Sequence, residues 1–195
     1  MRTVLLLLCL GLCGCVGYRT YYALESHMYA EAMREPVPGK TAKTVRYTVN
    51  ITRSVAGRPP ESVSAKSPEI DALARRAIED MRIFDKGNIR PNPEQADYHF
   101  VFDVRIDDTT APGALSGAIF PFHRSRETTV RLAVLNARGE LFSHYTASAE
   151  TRETRHVLLF PFTLFWPPGR AESRARRSIF EAIAVRLIED SKEFL

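Results

Sequence analysis

All three cysteines of the 195-residue chain, Cys9, Cys13 and Cys15, fall within its first 15 residues. A thiol can be acylated, oxidised to a disulfide or made into a metal ligand. Residues beyond 15 therefore form no disulfide among themselves and have no thiol nucleophile. The five histidines, His27, His99, His123, His144 and His156, are scattered. No two sit at i, i+4 on a helix or i, i+2 on a strand, so no metal site is expected. Asp103, Asp107 and Asp108 are the closest carboxylates that could share a proton. Asp103 and Asp107 alternate with Arg105, which predicts a solvated ion-pair stripe rather than an acid–base pair. No phosphate-cradling glycine loop, G-x-S-x-G elbow, H-E-x-x-H pair or calcium loop occurs. The chain is expected to be no enzyme and to carry no cofactor.

A second set of residues points to surfaces rather than to bond-making. Val157 to Trp166 carry no charge and only one hydroxyl, and two prolines and Gly-Arg follow. Phe160-Pro161-Phe162 inside this run is matched by Phe120-Pro121-Phe122, and arginines follow both: Arg124 and Arg126, then Arg170, Arg174, Arg176 and Arg177. Ten proline-broken residues cannot span a bilayer, which needs ~20. Burying each phenylalanine is worth ~2 kcal/mol, so the run does not stay fully in water. Three acceptors satisfy that demand. The two segments cap the open end of the core, stiffened by proline. Or Phe120, Phe122, Phe160, Phe162 and Trp166 dock on a protein partner of the cell envelope. Or they enter a membrane leaflet, where Trp and basic side chains suit the interface. Arg170, Arg174 and Arg177 lie in the first turns of an expected helix, where the macrodipole disfavours cations by about 0.3–1 kcal/mol each near the first turn. An anion such as a lipid phosphate would relieve that, as would solvent or pairing with Glu150 and Glu153.

The chain opens MRTVLLLLCLGLCGC. Arg2 is a minimal basic n-region, and the nine apolar residues Val4 to Leu12 have the length of a secretory h-region, not of a spanning helix. Leu12-Cys13-Gly14-Cys15 resembles the lipobox of bacterial lipoproteins: an aliphatic residue, two small residues, and the cysteine that receives the lipid. The resemblance implies cleavage before Cys15 and acylation of its sulfur and new amino group. Val16 follows, not the Asp that retains many lipoproteins in the inner membrane, which implies the outer membrane. Export also argues against nucleic acid as a partner. The net charge of +4 falls to +3 when Arg2 leaves, so attraction to phosphate has to come from local clustering.

The elements that position these residues follow from periodicity. Residues 1–14 read as signal peptide and 15–43 as lipidated tether with, at most, a short helix between Tyr18 and Pro36. A periplasmic domain covers 44–195. Within it Val45, Tyr47, Val49 and Ile51 alternate as a half-buried strand. Ser67-Pro68 starts a helix whose apolar face is Ile70, Leu73, Ala74, Ala77, Ile78 and Met81, ending near Asp85–Asn88. Tyr98, Phe100, Phe102, Val104 and Ile106 form a second strand, Glu127–Leu135 a third, and Glu140–Glu153 a fourth after a tight turn at Asn136–Gly139. A helix over about 169–192 closes the chain, with Ile179, Phe180, Ile183, Ala184, Leu187 and Ile188 inward. The order β-α-β-β-β-α predicts a two-layer α+β fold, a four-stranded mixed sheet with two helices on one face. It resembles small periplasmic lipoprotein domains, among them the lipopolysaccharide-assembly lipoprotein and auxiliary lipoproteins of lipid-trafficking ABC systems. The expectation is a lipid-anchored, periplasm-facing, non-catalytic binding or envelope-assembly module. The alternatives are an accessory lipoprotein of lipid or lipopolysaccharide transport, contacting anionic lipid through its paired loops, and an enzyme with an unrecognised site.

Overall fold

The computed structural model of the chain describes residues 16–24, 26–37, 39–55, 60–62, 67–91, 95–110, 122–155 and 170–195. The strands form where apolar residues alternate, and they run β2 (Val45–Val55), β5 (Tyr98–Thr110), β6 (Phe122–Asn136) and β7 (Leu141–Arg155). β2 and β5 are parallel, in register from Val45↔Tyr98 to Val55↔Asp108. A parallel pair needs a crossover, and α2 (Pro68–Glu79) lies in the connection between them. β5, β6 and β7 follow as antiparallel neighbours. The turn after β6 has Gly139 at φ 79°, where a side chain would be strained. The side-chain oxygen of Asn136 accepts from the backbone N–H groups of Arg138 and Glu140 and fixes that turn.

The sheet has seven strands among the described residues, in the order β1-β7-β6-β5-β2-β3 with β4 also on β2, and not the four expected. The additional three are β1 (Val16–Tyr21), β3 (Glu61–Ser62) and β4 (Ile89–Arg90). The latter two are held by two main-chain pairings each, too short for any alternation to show. β1 is an edge strand on β7, made from the segment expected as a tether. α1 (Ser26–Ala32) follows it, within the span where a short helix was allowed for, so three α-helices stand among the described residues.

The helices pack on one face of the sheet. α2 buries Ile70, Ala74, Ala77 and Ile78, and α3 (Arg170–Glu189) buries Ile179, Phe180, Ile183 and Leu187 against Phe100, Phe102, Val104, Val130 and Leu132. Each such large side chain is worth roughly 1.5–3 kcal/mol on burial. α2 is capped by Ser67 with Pro68 at its first position, as its sequence predicts, but it stops earlier than Asp85. Arg82 takes φ 58° just beyond it, a left-handed turn made without glycine. α1 docks on the flank of α3, Ala32 against Val185 and Ile188, and the Tyr29 hydroxyl donates to Asp80 at the end of α2. Burial and that carboxylate push the Tyr29 pKa up to about 12. A closing 3₁₀ turn, Ser191–Phe194, places Phe194 fully buried among Phe84, Tyr98, Phe100 and Phe142. Among the described residues no helix is long and apolar enough to cross a membrane.

Candidate functional site at one edge of the sheet

Strand direction collects the interesting ends. β2, β5 and β7 run toward one edge of the sheet, and β1 and β6 start from it. At that edge Val16 pairs with Arg155, and Arg155 pairs with Phe122. Segment 111–121 therefore joins β5 to β6 there, and segment 156–169 leaves there from the end of β7. The chain position of Cys15 is next to Val16. The first turn of α3 packs a little further in, where its Glu172 pairs with Arg126, four residues into β6. The strand ends that flank the two Phe-Pro-Phe segments thus share this edge. Phe120, Phe160, Phe162, Trp166 and Cys15 themselves lie outside the described residues; Phe122 is the first residue of β6.

Just inside this edge the inner face of the sheet turns from apolar to charged. The alternation of β5 that buries Phe100, Phe102 and Val104 continues to Asp108, whose side chain is 1% exposed. Its Oδ2 accepts from Arg53 of β2 at 2.7 and 3.1 Å, and its Oδ1 from Arg126 at 2.5 Å, while Arg124 approaches to 3.2 Å. Burial pushes the Asp108 carboxyl up. Hydrogen bonds from Arg126 and Arg53 and the charges of Arg126 and Arg124 outweigh it and hold the group below the usual carboxylate range. Arg126 also pairs with Glu172, Glu172 lies 3.6 Å from Arg176, and Arg176 reaches Glu69 of α2 at 2.9 Å. A chain of alternating charge thus ties β2, β5 and β6 to both long helices. Arg124 and Arg126, expected to ring the apolar segments, instead turn inward to this carboxylate. Their parity on β6 matches that of Val130 and Leu132, which decides their face.

Of the three arginines expected to bind an anion, Arg170 is the first residue of α3, and Arg174 and Arg177 lie exposed one and two turns on. Arg174 and Arg177 line one groove of about 530 Å³ between α3 and the segment that links β1 to α1. Tyr22, Leu24 and His27 form its other wall. The link is held to α3 where the Ala23 N–H donates to Ser178 Oγ. Arg177 gives its Nε to Glu181 at 2.7 Å. The sequence offered no signal for this second wall, because Tyr22 to His27 read as tether.

At the far edge a polar cleft of about 840 Å³ includes Arg46, Asp97, His99 and the Asn136–Gly139 turn. His99, on the sheet face opposite the core, is half-buried there. Its Nδ1 accepts from Arg46 at 3.0 Å, so Nε2 carries the proton and donates to the Thr48 hydroxyl at 2.9 Å. Burial and the charge of Arg46 lower its pKa and keep it neutral at pH 7. Asp97 is held below the usual range by the backbone N–H and the hydroxyl of Thr44. No group of three or more His, Cys, Asp or Glu side chains that could hold a metal occurs among the described residues.

No protein-family model matches the sequence, and no curated protein is similar to it. Among solved structures the chain is similar to a minor lipoprotein of Acinetobacter baumannii, at 13% identity, 78% of this chain, 95% of that one and a TM-score of 0.43. It is also similar to the PelC dodecamer of Paraburkholderia phytofirmans, at 10% identity, 87% of this chain, 97% of that one and a TM-score of 0.34. Likenesses this distant do not bear on what the chain does.

Proposed function

We propose that the protein is an outer-membrane lipoprotein, anchored through lipid on Cys15, whose periplasmic domain is a non-catalytic binding or envelope-assembly module. One observation carries the reading: the register Val16↔Arg155↔Phe122 puts the residue after Cys15 level with the strand ends from which both apolar segments leave. Anchor and apolar segments then meet the same bilayer without any bend in the chain. Acyl chains contribute about 0.8 kcal/mol per buried CH₂, and two chains suffice for stable attachment. The phenylalanines of 120–122 and 160–162 add ~2 kcal/mol each where they enter the interface. Lipidation is tested by palmitate labelling. Label that is lost in Cys15→Ser, with globomycin causing a labelled, heavier, uncleaved form to accumulate, supports the anchor; label that survives in Cys15→Ser refutes it. Flotation with outer-membrane markers on a density gradient tests the location.

A second reading, an accessory role in lipid or lipopolysaccharide transport, is favoured by the groove that gathers Arg174, Arg177, Tyr22 and Leu24 beside the anchored segment.

A further inference from the structure

We infer that the groove between α3 and the β1–α1 link holds one anionic phospholipid, drawn from the membrane to which the chain is anchored. The inference rests on the envelope reading above and assigns it a ligand. The groove's volume, about 530 Å³, falls within the roughly 300–1,000 Å³ of small-ligand sites. Its two sides differ in chemistry. Arg174 and Arg177 stand one turn apart on α3 and offer guanidinium groups suited to a phosphate. Arg177 is held by Glu181 through Nε alone, which fixes its plane and leaves its terminal nitrogens without a partner among the described residues. His27 stands on the facing wall, and Glu181 is the one acid among the described lining residues. Tyr22, half exposed, and Leu24 supply the apolar surface for an acyl chain.

Position favours a membrane lipid over a free anion. β1 carries the chain from Cys15 directly to Tyr22, so the apolar wall is a continuation of the anchored segment. Six strand residues put Tyr22 ~20 Å from the candidate edge. A lipid in the groove is therefore out of the bilayer plane.

The full chain, purified in non-ionic detergent, is titrated with dihexanoyl-phosphatidylglycerol, dihexanoyl-phosphatidylcholine and inorganic phosphate, with the His27 and Tyr22 ring resonances as reporters. The inference expects saturable phosphatidylglycerol binding, tighter than either comparator by about tenfold or more. Arg174→Ser/Arg177→Ser loses that margin, while its circular dichroism and cooperative urea unfolding show that it is folded. Equal affinity for the two phospholipids overturns the inference, as do phosphate binding as tight as phosphatidylglycerol and unchanged binding by the double variant. Palmitate labelling is read separately. Label without phosphatidylglycerol binding removes the groove and keeps the anchor; the reverse removes the anchor alone.

Discussion

Asp108 is the residue on which the charged network turns. Removing one partner of a buried pair leaves uncompensated charge, at a cost of about 3–5 kcal/mol. Asp108→Asn leaves Arg53, Arg124 and Arg126 facing one another, and a urea midpoint lowered by that amount is expected. Arg53→Met removes a half-exposed partner and costs only about 1 kcal/mol. The pH dependence has a definite sign. The carboxyl is depressed in the folded state, so the unfolded chain binds its proton first as pH falls. Its stabilisation is complete above the unfolded value of about 3.9 and is lost as pH drops through the folded one. Wild-type stability, measured by urea titration at a series of pH values, should therefore fall more steeply below about pH 4 than that of Asp108→Asn. The parity 98, 100, 102, 104, 106 already points to 108, yet a charge at an inward position reads as the end of the strand. Its neutralising arginines come from two other strands, and no local pattern shows them.

Elements were legible where one face is apolar and hidden where pairing is main-chain only. α2, α3 and the four long strands follow from periodicity because burying those faces dominates their energy. β6 begins at Phe122, before its apolar alternation does, since backbone pairing with β7 extends to Arg155. β1 is hard to read from sequence because an edge strand needs only one partner and its alternating set is short, Val16, Tyr18 and Thr20. The closing turn is a second test of element packing. Phe194→Ala empties the space between Phe84, Tyr98, Phe100 and Phe142, and a loss of about 3–5 kcal/mol is expected by thermal or urea unfolding. Tyr29→Phe removes the bond from α1 to Asp80 and should cost only about 1 kcal/mol. Proteolysis that frees residues 16–32 in Tyr29→Phe but not in the wild type would show that this bond, beyond the apolar contact with Val185 and Ile188, keeps α1 seated.

At the scale of the molecule the prediction concerns orientation. Trp166 is the only tryptophan. In vesicles with brominated acyl chains its fluorescence should be quenched, and a label on Arg138→Cys, in the turn at the opposite edge, should stay accessible to a water-soluble reagent. Quenching at residue 138 with Trp166 unaffected would reverse the proposed orientation. The shared edge of the apolar segments could be argued from hairpin reversals in the sequence, because each antiparallel connection inverts direction. The groove could not, because one wall belongs to a segment whose docking depends on a helix far along the chain.

That long-range partnership sets an order of events during biosynthesis. β1 is the first of the described elements to emerge, and its ladder partner, β7, is synthesised only after residues 22–140. Until then the N-terminal stretch has no neighbour to zip onto. On the lipoprotein reading proposed above, peptidase and acyltransferases would meet Cys15 before β1 has its partner, and fastening of β1 to β7 would be the closing step that draws the body of the protein toward the lipid.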